Sequence, residues 1–321
     1  MSVRGWSLFV GLALVWGVPY LMIKVAVGEV SVPLVVFARC ALGAAVLLPF
    51  ALRQGGMWTA VRKHWLPILG FATFEVLGPW YTLTDAERHL SSGTTGLIVA
   101  AVPVLSVFVA RLLGSTERLG AVRWLGLAIG FSGVAVLSVP TMSGGGVWPV
   151  TEALLTAVGY SIAPLIAARY LSDVPTLQVI APTLLLATVL YAPGAALTWP
   201  SSVPSAEALA SMAGLGVICT ALGFVIFLQL LREVPPSRAM VFVYLTPVVA
   251  VTAGVVLLEE EVTGWVLASF ALTVVGSVLA TGRSGARDRG AEDPHLNRQR
   301  PPADAAAQSA ESPAQPAPDA R

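Results

Sequence analysis

Two stretches of this chain decide its fold. The first, residues 94–139, reads TTGLIVAAVPVLSVFVARLLGSTERLGAVRWLGLAIGFSGVAVLSV, and the second, residues 238–281, reads RAMVFVYLTPVVAVTAGVVLLEEEVTGWVLASFALTVVGSVLAT. Each is an apolar segment with one proline, Pro103 or Pro247, followed by a short acidic turn and a second apolar segment rich in small residues. The chain therefore contains an internal repeat of one structural unit, and the rest of the sequence is interpreted as two copies of that unit.

The repeat extends beyond these stretches. An aromatic residue, a proline at a helix end and a proline within a helix each recur 144 residues later, in the pairs Trp16 and Tyr160, Pro49 and Pro193, and Pro103 and Pro247. After the second proline the offset becomes 143, so that Glu117, Gly126 and Gly133 correspond to Glu260, Ser269 and Gly276. We therefore expect a first repeat over 1–139, a second repeat over 140–282, and a separate tail over 283–321.

Amino-acid composition indicates whether this chain folds in water or in a lipid bilayer. Of its 321 residues 56% are hydrophobic and 12% are charged, and the mean hydropathy is +0.78. So little charge cannot cover an apolar core in water, which predicts an integral membrane protein. The net charge of +1 and the lack of a basic cluster interleaved with aromatic residues give no indication of nucleic-acid binding. Cys40 and Cys219 lie in apolar runs, so neither a disulfide framework nor a thiolate metal site is predicted.

Hydropathy predicts an all-α protein with ten transmembrane helices. A bilayer core requires about 20 apolar residues per helix. Runs of that kind cover residues 6–27, 33–52, 65–83, 92–113, 122–139, 148–170, 175–198, 206–231, 238–258 and 264–281.

The loop charges predict how these helices are oriented. With the amino terminus inside, all basic residues except Lys24, Arg39 and Arg88 fall in cytoplasmic segments, which predicts that both termini are cytoplasmic. Five helices per repeat is an odd number, so the second repeat crosses the membrane in the opposite sense to the first. Inverted repeats are typical of secondary transporters, in which two related halves open a midplane site alternately to each side.

Several of these segments resemble a known family. WGVPYLMIK (16–24), PVLSVFVARLLGSTERL (103–119), LGLAIGFSGV (125–134) and TPVVAVTAGVVLLEEEVT (246–263) are similar to the repeated pattern of EamA-type transporters of the drug/metabolite transporter superfamily. The resemblance covers roughly residues 6 to 281. It implies a ten-helix carrier of small metabolites, with the first four helices of each half around a central cavity and the fifth at the periphery. Ser269 in place of Gly126, and Tyr160-Ser161 in place of Trp16-Gly17, are mild departures in the second copy.

Glu75 is the strongest candidate for a functional residue. It lies about ten residues into the third predicted helix, close to the bilayer midplane at ~1.5 Å per residue. An acid at that depth would suit a proton relay or a cation ligand, since ionisable groups inside a membrane are costly and mark functional sites. The alternative is that Glu75 pairs with Arg39, at a similar depth in the second helix, and only holds helices together.

Two basic residues are predicted within the membrane. Lys24 shares a helix face with Trp16 and Tyr20 and could bind an anionic group, or it could extend to the lipid headgroups from the end of its helix. Arg39 is deeper, and it could pair with a substrate carboxylate or with Glu75.

The remaining candidates are prolines and aromatic residues. Pro103 and Pro247 each remove a main-chain hydrogen bond, which inside a membrane is tolerated against protein or a water-filled cavity. These prolines, together with Trp16, Tyr20, Trp80, Tyr160 and Tyr244, are predicted to line the cavity; simple packing is the alternative for each.

Small-residue pairs in the fifth helix (Gly126, Gly130) and in the ninth (Ala250, Gly254) allow close helix contact. They leave open whether the fifth and tenth helices pack within one chain or between two copies, so a monomer and a homodimer are both retained. The tail over 283–321 has no apolar periodicity and is expected to be disordered in the cytoplasm.

An enzyme is the competing class. His64, His89 and His295 fall in predicted loops or in the tail, and no nucleotide-binding motif, metal-binding pair or nucleophile with its base can be assembled at membrane depth, so no cofactor is predicted. We therefore predict a secondary transporter of the cell membrane that moves a small metabolite or drug-like solute by alternating access. Export is the favoured direction, proton coupling is left open, and the alternatives are a flippase of a lipid-linked substrate and a membrane sensor of the same fold.

Overall fold

The computed structural model of the chain describes residues 2–112, 120–143, 146–233, 242 and 245–281. Within these residues the secondary structure is helical. The predicted acidic turn at Glu117, the aromatic Tyr244 and the tail over 283–321 lie outside the described residues.

Fourteen α-helices and two π-helical segments make up the described chain. In chain order the helices are α1 (Val3–Gly17), α2 (Pro19–Val27), α3 (Val32–Gln54), α4 (Met57–Ala72), π1 (Thr73–Leu77), α5 (Gly78–Ala86), α6 (Ser92–Val99), α7 (Val102–Leu112), α8 (Ala121–Ser143), α9 (Val147–Tyr170), α10 (Thr176–Leu197), α11 (Ala206–Gly214), π2 (Leu215–Leu222), α12 (Gly223–Glu233), α13 (Thr246–Leu258) and α14 (Gly264–Thr281).

Six of the described helical stretches are long and apolar enough to cross a membrane. They are Val3–Val27, Val32–Gln54, Ser92–Leu112, Val147–Tyr170, Thr176–Leu197 and Ala206–Leu230. Shorter apolar helices cover Ala121–Val136, Thr246–Leu258 and Gly264–Gly276. The prediction of an all-helical membrane protein is therefore confirmed for the described part of the chain.

Proline positions explain where several long helices are interrupted. The chain between α6 and α7 leaves the helix at Ala100–Ala101, directly before Pro103, and α13 begins at Thr246 with Pro247 in its first turn. Proline is tolerated in the first turn of a helix, where its missing N–H would have no partner in any case. Both prolines, expected within continuous helices, thus stand at the start of a new one.

The two π-helical segments lie at matching positions in the two halves. Adding 144 to Glu75 in π1 gives Cys219 in π2. In π1 the amide of Gly78 bonds the carbonyl of Thr73, and Pro79 follows with no amide hydrogen to continue an α-helical ladder. Such π-bulges widen a helix and are frequent at functional sites.

Helices α8 and α14 pack against each other through glycine. A β-carbon at Gly276 would lie 2.2 Å from the amide nitrogen of Gly130 and 2.7 Å from the carbonyl oxygen of Gly126. The absence of side chains lets the two backbones touch, as small residues do in membrane helix pairs. The predicted small-residue contact between these helices therefore forms within one chain.

The two halves of the chain interlock elsewhere as well. Helix α3 packs along α10, α1 along α12, and α6 along α13. At one end of the bundle, called here the Glu29 end, the segments 28–31, 87–91, 198–205 and 259–263 come together through hydrogen bonds. At the opposite end, Arg4 forms an ion pair with Glu233 at 3.3 Å. A cavity lies between the halves, bordered by both.

Candidate functional site

A cavity of about 210 Å³ lies between the two halves of the chain. Its lining is mostly aromatic and apolar, with one acid and one guanidinium: Trp16, Pro19, Tyr20, Arg39, Glu75, Trp80, Leu83, Val99, Ala100, Val102, Tyr160, Pro164, Cys219, Phe224, Phe242 and Thr246. Helices α8 and α14 contribute no residue to this described lining, in agreement with the peripheral position that the family resemblance implies for them. Drug-sized ligands occupy pockets of roughly 300–1,000 Å³, so this volume favours a smaller solute.

Arg39 is held in a fixed position by both halves of the chain. Its side chain is buried, and its Nε donates a hydrogen bond of 3.1 Å to Oγ1 of Thr220 in π2. The guanidinium carbon lies 3.6 Å from the ring centroid of Trp80, a cation–π arrangement. Thr220 is itself oriented by a 2.8 Å bond that its hydroxyl donates to the carbonyl of Leu215. The outer nitrogens of the guanidinium thus remain as donors beside the cavity.

Glu75 borders the same cavity without being paired to Arg39. Among the described residues, no nitrogen of Arg39 lies within 4.0 Å of a Glu75 carboxylate oxygen. Within the same part of the chain the Glu75 side chain also forms no hydrogen bond, whereas polar groups removed from water are normally satisfied. The two side chains thus border one cavity without a direct ion pair, although the charge of Arg39 acts electrostatically on Glu75.

The aromatic wall is built around Trp16. Its Nε1 donates a 3.0 Å bond to the carbonyl of Cys219, within the widened π2 segment. Its ring packs edge-on against Phe224 and Phe242, with centroid distances of 5.7 Å and 5.1 Å. Tyr20 and Tyr160 complete the lining near Trp80. Such a wall would bury the apolar part of a solute.

The structure brings together six of the ten residues predicted for the site: Trp16, Tyr20, Arg39, Glu75, Trp80 and Tyr160. Pro103, Pro247 and Lys24 are not among the lining residues of the described cavity. The Lys24 ammonium donates bonds of 2.7 Å to the carbonyls of Glu87 and Leu90. These acceptors belong to the 87–91 segment, and Lys24 is not part of the described cavity lining.

Two residues that shape the site were not singled out from the sequence. Thr220, which positions Arg39, and Phe242, which packs on Trp16, come from the second half, where no charge marks the site. The 144-residue offset pointed to Cys219, the neighbour of Thr220, but only as the counterpart of Glu75. For metal binding, no group of three or more His, Cys, Asp or Glu side chains is found among the described residues.

Comparison with known proteins places the chain among membrane transporters. The model of the EamA-like transporter family matches residues 3–139 and again 147–282. The uncharacterized inner membrane transporter YedA of Escherichia coli (strain K12) is 24% identical over 76% of this chain and 79% of its own length. A protein of Streptantibioticus cattleyicolor named "probable terminal-alkyne amino-acid exporter" is 30% identical over 70% of this chain and 74% of its own.

A solved crystal structure shares the fold. Its chain is 23% identical to this one and superposes with a TM-score of 0.62, covering 88% of this chain and 98% of that one. The family match spans both halves of the chain and includes every residue of the described cavity lining. The chain therefore belongs to the EamA-like transporter family.

Proposed function

We propose that this protein is a secondary transporter that exports a small amphipathic zwitterion, of the size and chemistry of a neutral α-amino acid, across the cytoplasmic membrane. Ten membrane spans in two inverted repeats provide alternating access to the cavity. Both termini are cytoplasmic, so the Glu29 end of the bundle faces the outside.

The observation that carries this proposal is the separation of two opposite charges in one aromatic cavity. Arg39 is anchored by Thr220 and Trp80, and Glu75 forms no hydrogen bond and no ion pair within 4.0 Å among the described residues. A guanidinium presents donors for a carboxylate, and a carboxylate accepts from an ammonium group. A solute that carries both groups satisfies both side chains at once, while its apolar part contacts Trp16 and its neighbours.

The direction of transport is supported by a relative. The 30% identical Streptantibioticus cattleyicolor protein is named a probable terminal-alkyne amino-acid exporter. Its name fits a solute with a carboxylate, an ammonium group and a compact apolar side chain.

Glu75 is proposed as the acid that binds the ammonium group or exchanges a proton for it. An acid inside the membrane can carry a proton between the two sides when the cavity changes its exposure. If Glu75 binds either a proton or the substrate but not both at once, export of the substrate is coupled to the proton gradient.

Counterflow in proteoliposomes tests the proposal. Vesicles preloaded with unlabelled neutral apolar α-amino acids should accumulate the labelled ones. The corresponding amines, which lack the carboxylate, and the N-acetylated acids, which lack the ammonium group, should compete poorly. Glu75→Gln should lose this transport or its pH dependence while remaining inserted and folded, because an amide cannot exchange a proton.

Glu207→Gln serves as the matched control, since Glu207 is an exposed acid in the first turn of α11, outside the cavity lining. Transport by Glu75→Gln with the normal rate and pH profile would remove this residue from the mechanism. Headgroup-dependent lipid movement without amino-acid transport would instead favour the flippase.

A further inference from the structure

The Glu29 end of the bundle contains two acidic side chains that reach from one half of the chain to the other. Glu29, in the segment between α2 and α3, accepts bonds from the amide of Ser205, at 2.7 Å, and from its hydroxyl. Glu260, in the segment between α13 and α14, accepts bonds from the amides of Ser92 at 2.8 Å and Gly93 at 3.2 Å. Each half of the chain therefore contributes one carboxylate, and each donates hydrogen bonds to the carboxylate of the other half.

Both carboxylates bind at the amino terminus of a helix. Ser205 is the N-cap of α11, and its hydroxyl also accepts a bond from the amide of Ala208 at 3.1 Å. Ser92 and Gly93 are the first residues of α6. Helix amino termini present unpaired amides and a partial positive charge, so an ionised carboxylate is stabilised there. A separation of the two halves at this end would break both contacts.

The local backbone is shaped to hold Glu260 in this position. Glu259 adopts the left-handed conformation with φ of 54°, which is uncommon outside glycine, and the chain turns back toward α6. The amides of Glu259 and Glu260 both bond the carbonyl of Gly254. A β-carbon at Gly254 would lie 2.3 Å from Oε2 of Glu260, so only glycine leaves room for the carboxylate.

The charge state of Glu29 agrees with this contact. Hydrogen bonds from the Ser205 hydroxyl and then from its amide lower the pKa of the Glu29 carboxyl below its usual range. A lowered pKa means that the contact is stabilising at neutral pH and is lost only as the pH falls through that lowered value. Glu260 in turn interacts electrostatically with the buried Glu87, which lies close to the Lys24 ammonium.

The two contacts lie directly beyond the cavity. Ser92 and the lining residue Val99 are the first and last residues of α6, and the offset of seven residues between these positions corresponds to about 10 Å along the helix. Glu29 follows the lining residue Tyr20 by nine residues, most of them in α2. The helices that carry these contacts, α2, α6 and α11, lead from the cavity or its border to the Glu29 end.

We propose that Glu29 on Ser205 and Glu260 on Ser92 and Gly93 form a pair of carboxylate latches, which hold the Glu29 end of the bundle closed and open together in each transport cycle. This inference rests on the alternating access proposed above. It assigns the closing of one side to two reciprocal contacts between a carboxylate and a helix terminus.

A native thiol reports on the latches. Both cysteines are buried in this structure, but Cys219 lines the cavity and Cys40 does not. A membrane-impermeant thiosulfonate reagent should therefore reach Cys219 only when one end of the cavity is open. Its rate of modification can be measured by mass spectrometry in right-side-out and in inside-out vesicles that contain the full chain. Cys219→Ala verifies which thiol is modified.

Removing both latches should expose Cys219. In the double variant Glu29→Gln and Glu260→Gln, we expect modification from one face of the membrane to become roughly tenfold faster or more, the scale of one lost charge-assisted hydrogen bond. Replacing both residues by alanine should increase the rate further, because glutamine can still accept a bond. Thermal unfolding and gel filtration establish that each variant is folded.

The matched controls are the neighbouring acids. Glu261 and Glu207 are exposed, and neither side chain forms a hydrogen bond within the described residues, so Glu261→Gln and Glu207→Gln should leave the rate unchanged. Equal rates in the latch variants and the wild type would overturn the latches even if amino-acid counterflow succeeds. Faster modification without transport of any tested zwitterion would support the latches and overturn the proposed substrate.

Discussion

At the scale of single residues, Arg39 shows how a charge is kept available inside a membrane protein. Its Nε bonds Thr220, and one face of its guanidinium lies on the Trp80 ring. The guanidinium is therefore positioned by neutral side chains and not by an ion pair with an acid. Breaking a buried charge pair is expensive, but a charge held by neutral partners can still bind a ligand. Thr220 is therefore a positioning residue for the proposed carboxylate site.

Thr220→Val tests that role. The substitution keeps the shape but removes the hydroxyl, and a hydrogen bond to a charged group contributes roughly 1.5–3 kcal/mol. We expect KM for the zwitterion in the counterflow assay to rise about tenfold or more, with the maximal rate close to that of the wild type. Thr183→Val is the control, because the Thr183 hydroxyl is buried without a hydrogen-bond partner among the described residues. Equal KM values for Thr220→Val and the wild type would contradict the assignment.

At the scale of elements, glycine determines how closely neighbouring helices approach. Gly276 of α14 lies against the backbone of Gly130 in α8, and Gly96 of α6 lies against Ala250 in α13, where a β-carbon would be 2.9 Å from that of Ala250. In a bilayer no hydrophobic effect drives helices together, so such close packing supplies much of the attraction. The α8–α14 contact should therefore be sensitive to a single methyl group.

Gly276→Ala should lower the stability of the folded protein by about 1–3 kcal/mol, the usual cost of overpacking. The drop is measured as a decrease in Tm of the purified protein. Gly11→Ala is the comparison, because a β-carbon at Gly11 in the middle of α1 would meet nothing within 4 Å. A similar Tm change in both variants would show that the glycine contact does not limit stability.

At the scale of the whole molecule, the proposed mechanism depends on the opposite orientation of the two halves. The π-helical segments, which lie 144 residues apart in the two halves, are what two related halves would produce. In an inverted repeat, corresponding loops lie on opposite sides of the membrane.

Tag-accessibility mapping checks this orientation. Tags placed beside Glu117 and beside Glu260, which correspond in the two repeats, should be accessible from opposite faces of the membrane. A tag in the tail after Gly282 should be accessible from the same face as the one beside Glu117, since both segments are rich in arginine. If the tags beside Glu117 and Glu260 react from the same face, the inverted arrangement is wrong and alternating access loses its structural basis.

By itself, the sequence determined the properties that depend on local composition. Apolar runs, the 144-residue offset and the loop charges indicated a duplicated membrane protein, and the isolated acid Glu75 indicated a site, because each of these signals is carried by neighbouring residues or by a simple period. Six of the ten predicted site residues line one cavity for the same reason: they are aromatic or charged residues within apolar helices.

Only the tertiary structure decided how those residues are paired. Arg39 bonds Thr220 rather than Glu75, Lys24 bonds the carbonyls of the 87–91 segment, and Glu260 binds the amino terminus of α6. Each of these contacts joins residues more than 60 positions apart, and each depends on where a helix is widened, broken or closely packed. No local pattern encodes such a contact, because its free energy arises only when distant helices exclude lipid and water together.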